Sequence, residues 1–258
     1  EIPNTIGNLK KLESLTLSYG NFSGIPNSLG NCSALLYLGL DNNKFSGTLP
    51  NELGKLTNLQ GLGLNSNQIS EIPNTFANLK SLMTLNLSYN NLTGSIPPFL
   101  YNLNNLVILS LDHNSLTGSI SSSIEKMTNL SSLAINKNQI QGVIPDSMSN
   151  LKNLQNFYGM DNYLSGDVPQ KLIQKNLTTL NLNNNCLTTS GFGSQNHCVA
   201  PVNPDVFASI HYGEKTSFYS SELFNNPNTA TIDLNPNIGS ANIVVDELGN
   251  GIELRYIA

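Results

Sequence analysis

Charge is scarce in this chain. Only 11% of its 258 residues are Asp, Glu, Lys or Arg, against roughly 25% in ordinary soluble domains. No dense run of Lys and Arg exists, so the electrostatic footprint of a nucleic-acid groove or an anionic-membrane patch is missing. No apolar stretch approaches the roughly 20 residues needed to cross a bilayer. The three histidines, His113, His197 and His211, show no metal-ligand spacing. No Gly-rich phosphate loop follows a strand pattern. Asp112, His113 and Asp161 could serve as acids or bases, but no nucleophile sits beside an activating partner. Asp112 and His113, adjacent in sequence, are expected to point their side chains differently. These absences argue against nucleic-acid binding, a metal, a cofactor and catalysis. An initiator Met and a signal peptide are lacking too. The chain opens mid-motif at Glu1-Ile2-Pro3, so we read it as a piece of a longer protein.

What is present is self-similarity. Aligned on the first leucine of L-x-x-L-x-L-x-x-N, repeats start at Leu12, Leu35, Leu59, Leu82, Leu106, Leu130, Leu154 and Leu177. Successive spacings are 23, 24, 23, 24, 24, 24 and 23 residues, giving eight repeats plus the back half of another in residues 1–11. Within a repeat, Leu85 and Leu87 alternate with Thr84, Asn86 and Ser88, the period-2 pattern of a strand buried on one face. Such a strand is too short to stand alone. Stacking its copies makes a parallel sheet and a continuous core. Asn43, Asn67, Asn90, Asn114, Asn138, Asn162 and Asn185 then mark the frame where the chain must turn. A carboxamide has donors and an acceptor to satisfy the backbone groups left there, so these residues are expected to form a ladder. Gly20 holds that frame in the first repeat and should weaken the ladder at that end.

The strings Phe45-Ser46-Gly47-Thr48-Leu49-Pro50, Leu92-Thr93-Gly94-Ser95-Ile96-Pro97 and Ile140-Gln141-Gly142-Val143-Ile144-Pro145 resemble the plant-type leucine-rich repeat. That repeat belongs to receptor-kinase ectodomains and polygalacturonase-inhibiting proteins. The likeness covers residues 1–187. It implies an α/β-type leucine-rich-repeat solenoid, a right-handed superhelix with a concave parallel β-sheet. It also implies a second, smaller sheet at the Gly-x-Ile-Pro segments. Ser121 stands where the fifth repeat should have proline, which puts the second sheet in doubt there. Gly159 replaces the last strand leucine of the seventh repeat, which should leave that strand under-packed.

Three cysteines occur. Cys32 reads as a small buried free thiol. A disulfide between Cys186 and Cys198 would pin the end of the coil, worth roughly 3 kcal/mol; two unpaired thiols are the alternative. Asn21, Asn31, Asn86, Asn91, Asn129 and Asn176 each begin Asn-x-Ser/Thr and are possible N-glycosylation sites. Together with the disulfide and the resemblance they favour an extracellular or cell-surface setting.

The outward strand residues form a wall that is mostly small and polar. Larger side chains gather in two places: Tyr19, Tyr37 and Asp41 near the N-terminal end, and Tyr89, Asp112, His113, Lys137, Tyr158, Met160 and Asp161 across the fourth to seventh repeats. Exposed aromatics beside charges are what binding hot spots use, so these are the candidate binding residues for a protein, peptide or glycan ligand. A glycan on Asn86 would obstruct part of the wall. Residues 188–199 read as a capping loop. Residues 200–258 hold short β-type runs at 206–212, 229–234, 241–245 and 252–257. With the likely hairpin turn Leu248-Gly249-Asn250-Gly251, this suggests a β-rich cap or truncated all-β module.

The leading expectation is therefore a non-catalytic extracellular recognition module of a receptor-like or secreted protein. A rigid spacer presenting the β-rich segment is the alternative. Inhibition of a secreted polysaccharide-degrading enzyme and ice binding stand behind it.

Overall fold

The computed structural model describes residues 2–175 and 177–189, and the backbone of three strands beyond them. Eight strands, each three residues long, stack side by side in sequence order: Ser14–Thr16, Tyr37–Gly39, Gly61–Gly63, Thr84–Asn86, Ile108–Ser110, Ser132–Ala134, Asn156–Tyr158 and Thr179–Asn181. Every neighbouring pair is parallel and in register, frame for frame. The register follows from the repeat: the middle residue of each strand is apolar and must face the core, and a one-residue slip would expose it.

The return path on the opposite side is tight. Seven five-residue 3-10 turns, from Asn4–Asn8 to Asp146–Asn150, carry it, and Gln170–Ile173 alone among the described residues is an α-helix. Proline precedes most of these turns and fixes an extended φ at their entry. An apolar residue inside each turn packs on the core: Leu29, Leu53, Phe76, Leu100, Ile124 and Met148 are essentially inaccessible, and Ile6 in the first turn is half-buried. Close stacking on this side needs glycine early in the coil. A Cβ on Gly30 would lie 2.2 Å from the Glu52 carbonyl oxygen of the next turn.

The Gly-x-Ile-Pro segments form the second, smaller sheet in three pieces. Ser46–Thr48 pairs with Gln68–Glu71, Thr93–Ser95 with Ser115–Thr117, and Gln141–Val143 with Tyr163–Gly166 and then Cys186–Leu187. The motif glycine has a physical reason here. Gly47, Gly94, Gly118, Gly142 and Gly166 all take φ between 72° and 80°, a region closed to most side chains. The register slips between Gly47 and Thr48, which pair with Ile69 and Glu71 and leave Ser70 with no opposite residue.

The weakness expected at Ser121 is limited. The strand before it forms, and Gln141 N–H still donates to Gly118 O at 2.7 Å across the division between sheets. Unlike proline, Ser121 has an N–H to satisfy, and Tyr101 Oη accepts it at 3.3 Å. The Ser121 hydroxyl in turn accepts from Ser123 N–H at 3.2 Å and caps the next turn. The expected under-packing at Gly159 does not occur. Phe157, larger than the leucine at its frame, is fully buried beside it. A Cβ on Gly159 would meet Phe157 Cζ and Leu182 Cδ2, each at 3.0 Å.

The asparagine frame is a continuous hydrogen-bond chain. Asn90 Oδ1 accepts from Ile69 N–H at 3.0 Å, and its amide donates to Leu64 O at 2.9 Å and Leu87 O at 3.1 Å. Leu87 O also accepts from Asn114, so each such carbonyl is shared by two successive asparagines. At the N-terminal end Asn43 Oδ1 takes both Gly20 N–H and Phe22 N–H. Gly20 itself offers no side chain, and the strand leucines Leu15 and Leu17 are only half-buried.

Beyond the coil, Ala241–Val245 pairs antiparallel with Ile252–Tyr256, which pairs with Thr216–Phe218. Cys198, Asn176 and the runs at 206–212 and 229–234 lie outside the described residues, so the expected disulfide is not described. Among the described residues no helix is long and apolar enough to cross a membrane, and no three His, Cys, Asp or Glu side chains gather as metal ligands.

Candidate ligand-binding face

Strand alternation puts three outward columns on the long sheet, those of Tyr37, Gly39 and Asp41 and their equivalents in each repeat. The next frame breaks the alternation. Tyr19, Asn42, Ser66, Tyr89, His113, Lys137, Asp161 and Asn184 all adopt φ between 52° and 62°. Left-handed backbone is uncommon for residues other than glycine, with Asn, Asp and His best tolerated. It turns the chain off the strand toward the asparagine ladder and swings this row of side chains to the rim of the face.

That turn corrects one expectation. Asp112 and His113 do not diverge: His113 Nδ1 lies 2.8 Å from Asp112 Oδ2, because the left-handed φ at His113 brings its ring back over its neighbour. Asp112 Oδ1 also accepts a short hydrogen bond from Ser88 Oγ. The His113 ring stacks on Tyr89 with centroids 3.8 Å apart and planes 17° from parallel. Tyr89, Asp112 and His113 thus form one unit. Asp161 belongs to another, accepting from Asn184 Nδ2 at 2.7 Å, and Met160 Sδ lies 3.1 Å from Asn181 Nδ2. Lys137 and Tyr158 stand between them, and among the described residues their side chains make no hydrogen bond or ion pair.

The N-terminal residues divide differently. Tyr19 is 79% exposed and isolated. Tyr37 and Asp41 frame a hollow of about 550 Å³ on the sheet face. It forms because Gly39, Gly61 and Gly63 occupy adjacent outward positions and add no side chains of their own. Tyr37 lies across Gly61, where a Cβ would sit 3.0 Å from Cδ1, and Asp41 lies across Gly63, where a Cβ would sit 2.7 Å from both carboxylate oxygens. Both side chains are held. Tyr37 Oη donates to Gln60 Oε1 at 3.0 Å, and Asp41 Oδ1 accepts from Asn65 N–H at 3.1 Å. Ser18 Oγ donates to Asp41 Oδ2 at 3.4 Å. Met83, 46% exposed, and Asn86 close the far side.

Sequence reasoning missed Gln60, Met83 and the glycines. Three outward glycines in neighbouring strands were the available signal. Gln60 and Met83 also border a second groove of about 770 Å³, one frame before the strands, with Val107, Ser131 and Gln155. Asn105, Asn129 and Asn153 line that groove and form a further ladder, each amide donating to a carbonyl of the preceding repeat at 2.8 to 3.0 Å. Among the sequons, Asn21, Asn31, Asn91 and Asn129 are exposed. Asn86 is tied within the hollow's wall, donating to Asn65 Oδ1 at 3.3 Å and accepting from Ser88 N–H at 3.1 Å.

A coil of stacked short strands, tight 3-10 returns and an asparagine ladder defines a solenoid repeat protein whose broad sheet is its open face. The chain belongs to the leucine-rich-repeat family: the leucine-rich repeat region matches residues 27–192. It is similar to plant receptor structures. The ectodomain of the Arabidopsis receptor kinase HAESA, solved with an N-terminally extended IDA peptide hormone, is 40% identical with a TM-score of 0.68. The match covers 72% of this chain and 32% of that one. The TDR receptor is 35% identical with a TM-score of 0.68, over 72% of this chain and 33% of that one. The plant peptide hormone receptor RGFR1, solved with RGF2, is 34% identical with a TM-score of 0.64, over 72% and 34%. This chain therefore spans about a third of the length of these relatives. No curated protein matches it.

Proposed function

We propose that this chain is a non-catalytic recognition module that binds an extended peptide across its concave face, as part of an extracellular receptor-like protein. The observation that carries this reading is the hollow in the long sheet. Three adjacent glycines make room for it, hydrogen bonds hold Tyr37 and Asp41 in its wall, and Tyr37 and Met83 keep exposed surface there. A peptide lying there would bury aromatic surface already ordered in the free protein, which lowers the cost of binding. The HAESA and RGFR1 relatives, solved with peptide hormones, support the same use of the fold. Tyr89, Asp112, His113, Lys137, Tyr158, Met160 and Asp161 extend the contact surface, and Tyr19 flanks it. Glycans at Asn21, Asn31 and Asn91 would leave the hollow open, whereas one at Asn86 would close it.

The test uses a phage-displayed library of random dodecapeptides as probe. Gly39→Trp fills the hollow without a backbone clash, since its Cβ meets only ordinary contacts at 3.5 Å. Val143→Trp changes an exposed site on the small sheet, away from the hollow. Selected peptides should lose binding to Gly39→Trp and keep it with Val143→Trp. Binding that ignores Gly39→Trp, or that needs residues 200–258, overturns the reading and favours the spacer alternative.

A further inference from the structure

The outward columns carry a charge pattern that neither the fold nor the family match assigns to a ligand. Across all eight strands, only Asp41 and Asp112 are charged in those three columns, and both are negative. Asp41 has no cationic partner among the described residues. Its carboxylate is presented at the hollow, with one oxygen anchored by Asn65 N–H and the other by Ser18 Oγ. The Tyr37 ring reaches across to Gly61, one strand away, bringing its Cδ1–Cε1 edge against that glycine. A carboxylate and an aromatic ring lining one hollow suit a Lys ammonium or an Arg guanidinium by charge and by cation–π attraction.

Asp112 lies three strands further along the same column. Strands about 4.8 Å apart place it roughly 14 Å from Asp41. An extended peptide rises about 3.3 Å per residue, so positions i and i+4 are about 13 Å apart and point to the same side. A face that curves inward shortens the distance between side-chain tips, which improves the match.

We propose that the concave face reads a peptide carrying two basic residues four positions apart, the first seated in the hollow against Asp41 and Tyr37, the second over Asp112. This rests on the peptide-binding reading above and specifies its ligand. Ser88 and His113 each engage one oxygen of Asp112 and leave its side chain 15% exposed, so the second position is the weaker contact.

Two measurements test it. Library peptides that depend on the hollow should be enriched in Lys or Arg at i and i+4. Synthetic, otherwise Ala/Gln peptides with arginines at i and i+4 should bind more tightly than ones with arginines at i and i+3, by fluorescence anisotropy. Asp41→Asn keeps the acceptor for Asn65 N–H and should weaken the i, i+4 peptide about tenfold to a hundredfold, the size of a charge-assisted hydrogen bond. Asp112→Asn should weaken it less and should erase the spacing preference. General attraction to the net negative chain would be blind to spacing and to either substitution. Hollow-dependent peptides without basic enrichment, or an unchanged Asp41→Asn affinity, overturn this inference and leave the peptide-binding reading standing. The absence of any hollow-dependent peptide overturns both.

Discussion

Asn138 sits in the middle of the ladder and is 8% exposed. Its Oδ1 accepts from Leu116 N–H at 2.9 Å, and Leu116 is itself 1% exposed. Asn138→Ala leaves that N–H buried without an acceptor, a penalty of about 1–3 kcal/mol. The three carbonyls served by the Asn138 amide fare better, and Asn136 O keeps its bond from His113 N–H. Leu111 O keeps its bond from Asn114, and Ile135 O keeps its bond from Asn162. Losing one of two partners at each adds about 1 kcal/mol in all. The expected cost is therefore about 2–4 kcal/mol. Asn43→Ala provides the comparison. Asn43 is half-buried and serves an exposed Gly20 N–H, so water replaces much of what it supplies, and the cost should fall near 1 kcal/mol. Equilibrium urea unfolding followed by circular dichroism reads both values, provided the slope with urea matches wild type, since repeat arrays can lose cooperativity. If Asn138→Ala costs no more than Asn43→Ala, the shared-carbonyl account of the ladder is wrong. Asn138→Leu should not recover the loss, because it leaves the same N–H orphaned.

Three further outcomes follow from the packing. Gly159→Ala should lower the melting temperature, at a cost of about 1–3 kcal/mol, because its Cβ would press on Phe157 and Leu182; a neutral result would mean that Phe157 leaves slack there. Ser121→Pro fits the observed φ of −70° but removes the N–H that Tyr101 Oη accepts. It also removes the hydroxyl that caps Ser123 N–H, so it should destabilise wild type and do so less in a Tyr101→Phe background, and purely additive effects in that double-mutant cycle would deny the bond. Burial pushes the Tyr101 hydroxyl above its ordinary value of 10.0, with the Ser121 bond opposing. A raised folded value means the contribution is complete below the unfolded value and is lost as pH climbs through the folded one. Tyr101→Phe should therefore flatten the fall in stability on the alkaline side of about pH 10, while Cys32 and Tyr163, raised for the same reason, keep the rest of it.

Much of the architecture was legible in the sequence for a simple reason. Leu85 and Leu87 alternate with polar neighbours, and the whole pattern returns every 23 or 24 residues. Local periodicity names the strand, and the period names its neighbour. The asparagine frame could be read the same way, since a turn out of a buried strand leaves backbone groups that only a donor–acceptor side chain can satisfy. The role of the motif glycine was not read, because the positive φ at Gly94 and its equivalents belongs to the turn geometry rather than to the hydrophobic pattern.

The candidate site was legible only as a list of outward positions. Tyr37, Asp41, Tyr89, Asp112 and His113 could be placed on the face from their frames alone. Which of them meet depends on contacts between repeats and on a rim residue's φ. The left-handed turn at His113 joins it to Asp112 and Tyr89, against the alternation expected of a strand. Phe157 fills the space that Gly159 leaves. Tyr37 and Asp41 lie down over the glycines of the following strand, and a hollow opens where the sequence shows only small residues. The sequence by itself determined the coil, its register and its inner face, because burial acts on every repeat in the same way. The tertiary structure alone decided the candidate binding surface, because that surface is made of side chains 23 or 24 residues apart whose meeting no local pattern constrains.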